Sequence, residues 1–205
     1  IGALRAAREA GVNLFDTADA YGMGRSEELV GKVFGKRPDD LYIATKVGNW
    51  GRRYDDVFPY QSVHSIYESC HASLYRLKTD VIDLYQCHIG RPENPDLFVE
   101  AFEALKEEGK IRHYAISTDH LDSLKAINAN GGCASCQINY SILNRNAEKQ
   151  LFPYCLESDI GVLLRGPLAM GVLTGKFTKN TTFDDSVRQR WNAGDAHENF
   201  VKRVE

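Results

Sequence analysis

Six short apolar runs recur along the chain, and each leads into a stretch whose apolar residues have helical spacing. The runs lie at 13–16, 41–45, 81–85, 114–116, 135–139 and 161–164. Helices are expected at about 1–11, 26–35, 61–77, 96–108, 120–129, 146–157 and 194–205. Strands that are continuously apolar and alternate with helices form a parallel sheet covered by those helices. Gly11 and Gly109 stop the first and fourth helices. No linker or low-complexity segment interrupts the pattern, so residues 1–205 are expected to form one domain. Six such units fit an open sheet or most of a (β/α)₈ barrel. A closed barrel typically takes about 250 residues, so the 205 residues here predict an incomplete one.

Charge and composition exclude several classes. The formal net charge of −3 offers no basic footprint for nucleic acid. No apolar run approaches the roughly 18–20 residues of a membrane span. Five cysteines at irregular spacing suit free thiols in a reducing, cytoplasmic compartment. Cys133-Ala-Ser-Cys136 lacks a second pair and leads into a strand, so buried thiols without a metal are expected there. His64 and His71 have no evident third ligand, and no metal site is expected.

In parallel α/β proteins the active site forms at the C-terminal ends of the strands. Three strand ends here present ionisable groups: Asp16, Lys46 and His88. Tyr21 stands in the glycine-flanked turn after the first strand, and Ser26 is expected to cap the following helix. A free phenol titrates near 10, and a neighbouring ammonium favours its ionised form. A carboxylate holds such a lysine charged and in place. A histidine beside them can hydrogen-bond a substrate oxygen. Together the four groups suit proton donation to a carbonyl as hydride arrives. Taken singly, each residue has an ordinary structural role: a surface lysine, a loop histidine, a turn aspartate, a packed tyrosine.

Three long motifs carry a specific resemblance. Asn13-x-Phe-Asp-Thr-Ala-x-x-Tyr-Gly-x-Gly-x-Ser-Glu27 and Asp80-x-Ile-Asp-Leu-Tyr-Gln-x-His88 resemble the two signatures of the aldo-keto reductases. Gly161-Val-x-x-x-x-Pro-Leu-Ala-x-Gly-x-Leu-Thr-Gly-Lys176 is similar to the segment before that family's pyrophosphate loop. The resemblance implies a (β/α)₈ barrel that binds NADPH, with NADH not excluded, and no Rossmann GxGxxG turn is present. It implies Tyr21 as proton donor, Lys46 and Asp16 as its activating pair, and His88 as the histidine that orients substrate. It places Ser117, Thr118, Gln137 and Asn139 at the nicotinamide carboxamide. Gly166, Leu168, Gly171 and Lys176 would follow the cofactor pyrophosphate.

Two residues depart from the family pattern. Arg165 stands where an aromatic commonly stacks on nicotinamide; it would cover the ring or neutralise an anionic substrate. Thr118 replaces an asparagine. Substrate contacts are expected from the 47–60 loop, through Trp50, Arg52, Arg53 and Tyr54, whose mix of aromatics and arginines suits a sugar or an anionic group. The same loop would equally serve as a solvated basic segment, with Asp55 and Asp56 offsetting the arginines. By comparison with the family, the first barrel strand and the last strand and helix are expected to be missing. The resemblance therefore implies a reductase of an aldehyde, ketone or sugar. A non-catalytic, cofactor-binding regulatory subunit on the same scaffold is the alternative, and a fragment that binds nothing is the third reading.

Overall fold

A computed structural model describes residues 1–51, 58–185 and 187–204. Six strands form one sheet: β1 (Leu14–Asp16), β2 (Tyr42–Val47), β3 (Ile82–Cys87), β4 (Ile111–Ser117), β5 (Cys133–Asn139) and β6 (Gly161–Arg165). The helices are α1 (Gly2–Glu9), α2 (Arg25–Phe34), α3 (Val63–Leu77), α4 (Pro95–Glu107), α5 (Leu121–Ile127), α6 (Leu151–Glu157) and α7 (Gly194–Val204). The strands lie in the sheet in chain order, and every neighbouring pair is parallel. A doubly wound open sheet reverses its strand order at a switch point. None occurs among the described residues, so the chain builds consecutive units of an incomplete (β/α)₈ barrel. No helix among the described residues is long and apolar enough to cross a membrane.

Side chains of a strand alternate between faces, so register decides which residues meet. Asp16 pairs with Ala44, and Lys46 lies two residues further on the same face. Lys46 pairs with Gln86, Gln86 with Ala115, and Ser117 lies two beyond Ala115. Ser117 pairs with Gln137, Gln137 with Leu163, and Arg165 again lies two beyond. One continuous inner face thus carries Asp16, Lys46, Gln86, Ser117, Gln137 and Arg165. The outer face carries Phe15, Ile43, Tyr85, Cys87, Ile116, Cys136 and Ile138, which join the main core under the helices. Phe102 of α4 centres an aromatic cluster there, with ring centroids 5.6 Å from Tyr85, 5.9 Å from Phe98 and 5.4 Å from Tyr114. A second cluster of Ala169, Val172, Phe183, Trp191 and Phe200 lies toward the C-terminal end.

Three boundaries differ from the sequence reading. Strand β4 begins at Ile111, ahead of the apolar run at 114–116; its early residues Arg112 and His113 are polar and exposed, which hides the strand's start in the sequence. Residues 146–149 form a 3₁₀ turn, and the helix begins only at Leu151, because Gln150 leaves helical geometry at φ −142° and ψ −46°. Gly24, not Ser26, precedes α2 as its N-cap, at φ 85°. A Cβ at Gly24 would stand 2.7 Å from Arg76 Cδ, so glycine is demanded twice. The Ser26 hydroxyl instead accepts from Thr17 Oγ1 at 2.7 Å and ties the loop back to the strand end.

Candidate active site

The inner-face residues open onto a cavity of about 740 Å³ lined by Asp16, Tyr21, Asn49, His88, Gly90, Ser117, Gln137 and Arg165, with Leu14, Leu163 and Leu164. Lys46 is completely buried beneath it. Its ammonium donates to Asp16 Oδ2 at 2.6 Å and to the Thr17 carbonyl at 2.7 Å. That ammonium also lies 5.0 Å from the centroid of the Tyr21 ring. His88 meets the same ring edge-on, with centroids 5.8 Å apart at 79°. Tyr21 itself is 44% exposed. A half-exposed phenol over a buried, anchored cation can give up a proton while the charge it develops is stabilised from below.

Asp16 is held from three strands. Oδ1 accepts from Gln86 Nε2 at 2.9 Å, and Oδ2 accepts from Lys46 and from Gln137 Nε2 at 3.2 Å. Ser117 donates to Gln137 Oε1 at 3.3 Å. Asn49 donates to the His88 carbonyl at 2.7 Å and so joins the ends of β2 and β3.

The remaining sequence candidates separate into groups. Thr118 is buried; its hydroxyl donates to the Gly90 carbonyl at 2.6 Å and accepts from His120 N at 3.0 Å, so it is engaged in loop structure. Arg165 pairs with Asp119, whose other oxygen accepts from Asn139 N at 2.8 Å. Asn139 and Gly166 line an adjoining groove of about 350 Å³, together with Arg190 and Arg203. Along the chain Leu168 falls between the groove residues Gly166 and Ala169, Gly171 follows the groove residue Met170, and Lys176 lies five residues further on. Gly171 has φ 98°, and a Cβ there would stand 2.9 Å from Phe177 Cε2, so its need for glycine is met by chain packing. Trp50 faces a different cavity of about 290 Å³, with Asp19, Tyr60 and Arg76, and its ring packs under the Arg76 guanidinium at 5.2 Å. Arg52, Arg53 and Tyr54 lie outside the described residues. Sequence reasoning missed Asn49, Gly90 and Gln86. Asn49, just past the end of β2, met the same strand-end criterion that singled out Lys46. Among the described residues no cluster of His, Cys, Asp and Glu is placed to hold a metal.

Behind the loop that carries Tyr21 sits a second buried charge cluster. Glu27 of α2 accepts from Thr45 Oγ1 and from Arg76 Nε, both at 2.6 Å. Asp19 accepts from Ala20 N at 2.5 Å, and Tyr60 Oη lies 3.5 Å from its other oxygen. Burial, reinforced by the Glu27 charge, pushes the Asp19 carboxyl up to about 7, against the pull of the Ala20 N–H and Arg76. Between about pH 4 and 7 the folded protein therefore holds a proton that the unfolded chain releases. Stability falls as pH rises through that window and levels off above it. Asp19→Asn keeps the Ala20 contact and removes the slope. Its gain over wild type should be larger at pH 8 than at pH 5, by a difference of roughly 1–3 kcal/mol. Urea unfolding at the two pH values checks this; equal gains at both would contradict it.

Comparison with known proteins bears on this geometry. The profile of the Aldo/keto reductase family matches residues 1–204. The chain belongs to the aldo/keto reductase family. It is similar to the uncharacterized oxidoreductase YqkF of Bacillus subtilis, at 43% identity over 170 residues that cover 82% of this chain and 55% of the relative. The structure of the glycerol dehydrogenase AKR11B4 from Gluconobacter oxydans superposes with a TM-score of 0.82 at 30% identity, covering 98% of this chain and 64% of that one. A Klebsiella pneumoniae aldo-keto reductase in complex with NADPH superposes at 0.73 with 32% identity, covering 83% and 58%. This aldo/keto reductase chain thus spans between half and two thirds of the length of each protein it matches here.

Proposed function

We propose that the protein is an NADPH-dependent oxidoreductase, with NADH also accepted as a candidate cofactor, that reduces an aldehyde, ketone or sugar carbonyl to an alcohol. Its 205 residues act as one barrel domain in this reading. The observation that carries it is the buried Lys46 ammonium, anchored by Asp16 and the Thr17 carbonyl and set 5.0 Å from the Tyr21 ring.

The residues divide the work. Tyr21 donates the proton to the carbonyl oxygen, and Lys46 stabilises the phenolate that forms. Asp16 keeps Lys46 in place. His88, edge-on to Tyr21, orients the substrate oxygen. Ser117 and Gln137 present a hydroxyl and an amide at the cavity wall, which suits a carboxamide. Asn139, Gly166, Arg190 and Arg203 line a polar groove with two guanidiniums, which suits a pyrophosphate. When bound, a reduced nicotinamide supplies the hydride. The relative solved with NADPH supports that assignment.

The test is cofactor oxidation by the protein with NADPH and with NADH, across a panel of aldehydes, ketones and keto sugars. Carbonyl-dependent oxidation is expected. Cofactor binding without any turnover would contradict the enzymatic reading and support a regulatory one.

Arg165 makes a narrower point. Its partner Asp119 offsets its charge, yet Arg165 lines the cavity and both side chains are close to half-exposed. Arg165→Ala should raise KM for a carboxylate-bearing aldehyde by about tenfold or less, the scale of an exposed charge pair, and leave a neutral aldehyde unchanged. Equal KM values for the anionic substrate in both proteins would remove Arg165 from substrate binding.

A further inference from the structure

We infer that Gln86 is a positioning residue of the active site, whose side-chain N–H fixes Asp16 and leaves the Lys46 charge available to Tyr21. The inference rests on the reductase reading above. Gln86 is the penultimate residue of β3, in register with Lys46, and is completely buried. Its Nε2 donates to Asp16 Oδ1 at 2.9 Å. Among the described residues its Oε1 has no hydrogen-bond partner. A carboxylate only accepts, so the amide must turn its N–H₂ toward Asp16, and the buried oxygen is left unpaired as the consequence. A buried polar atom without a partner is costly to keep, which marks the donor end as the part the site uses.

The effect on the chemistry follows from where negative charge resides. Asp16 Oδ2 is shared by Lys46 and Gln137, whereas Oδ1 has Gln86 as its side-chain donor. The Gln86 bond draws carboxylate charge toward Oδ1 and sets the plane of the group. Without it, Asp16 is held by side chains only at Oδ2, through Lys46 and Gln137, and its plane can turn to pair more fully with Lys46. The ammonium is then more completely neutralised, and the phenolate that Tyr21 must become loses stabilisation. Gln86 touches neither substrate nor the reacting atoms; it acts through Asp16.

Two substitutions of similar size test this. Gln86→Met cannot donate at any pH. Gln86→Glu can donate only when its carboxyl carries a proton, and two carboxyls in contact share a proton readily. Gln86→Met should lower kcat by about 10- to 100-fold at every pH, with KM and the affinity for NADPH within about twofold of wild type. Gln86→Glu should be impaired at high pH and recover toward wild type as pH falls. A merely structural role would lower both variants in parallel, without recovery. Wild-type kcat in Gln86→Met would overturn the inference while leaving the reductase reading intact, because Tyr21→Phe tests that reading separately. A crystal structure of Gln86→Met supplies a result that needs no turnover. The Asp16 carboxylate should be rotated away from its wild-type plane, and an unmoved Asp16 would also overturn the inference.

Discussion

Tyr21→Phe lowers carbonyl reduction by about 100- to 10,000-fold, the range expected when a positioned general acid is removed. The substitution deletes one hydroxyl and keeps the ring. The edge-on contact with His88 and the approach of Lys46 to the ring face both survive. Because Tyr21 is nearly half exposed, no cavity opens in the core, and stability should stay within about 0.5 kcal/mol of wild type. Cofactor affinity should also be retained, since the proposed carboxamide and pyrophosphate contacts lie on β4, β5, the loop after β6 and the segment from Arg190 to Arg203. Steady-state rates beside a fluorescence titration with NADPH separate the two effects. A rate loss below about tenfold would remove Tyr21 from the proton-donor role.

The second large effect is expected at Asp16. Asp16→Leu leaves the Lys46 ammonium completely buried, with the Thr17 carbonyl as its remaining acceptor. Breaking a buried ion pair by removing one partner typically costs about 3–5 kcal/mol. Asp16 is about one third exposed, so solvent recovers some of this, and a loss of about 3 kcal/mol is expected. In a protein of this size that corresponds to a fall in Tm of roughly 6–12 °C. Gln86 and Gln137 would lose their common acceptor as well. Adding Lys46→Met removes the stranded charge, so the double variant should regain part of the stability while remaining inactive. Thermal unfolding of the two single variants and the double variant gives the coupling energy. If the double variant is no more stable than Asp16→Leu, the ion pair does not carry the stability assigned to it.

The barrel units were legible because each level of the sequence agreed. Short apolar runs, helical spacing and glycine stops pointed to one parallel arrangement, and the strand ends named Asp16, Lys46 and His88 before any contact was visible. What stayed hidden depends on register between strands distant in sequence. Gln86 reads as an ordinary polar residue inside the second motif. Only the alignment of β3 against β2 puts it beside Lys46 and within reach of Asp16, 70 residues away. Thr118 was read from its position after Ser117, yet successive residues face opposite ways, and its hydroxyl closes a loop. Trp50 is grouped with Arg52, Arg53 and Tyr54 by loop membership alone, and its ring packs on Arg76 behind the loop that carries Tyr21. The Asp19, Glu27 and Arg76 cluster left no sequence pattern, because its members come from a loop and two helices that meet only in the fold.

Hydride delivery to a carbonyl carbon at the Tyr21 cavity can be followed atom by atom. Its most direct measurement is the fate of a deuterium label: the protein is incubated with an aldehyde and NADPH deuterated at the transferring position, and the alcohol is examined by NMR. One deuterium is expected on the carbinol carbon per cofactor oxidised, with the transfer slowed at least about 100-fold in Tyr21→Phe. Cofactor oxidation that leaves the carbinol carbon unlabelled, or labelled transfer that continues at the wild-type rate without the Tyr21 hydroxyl, would contradict it.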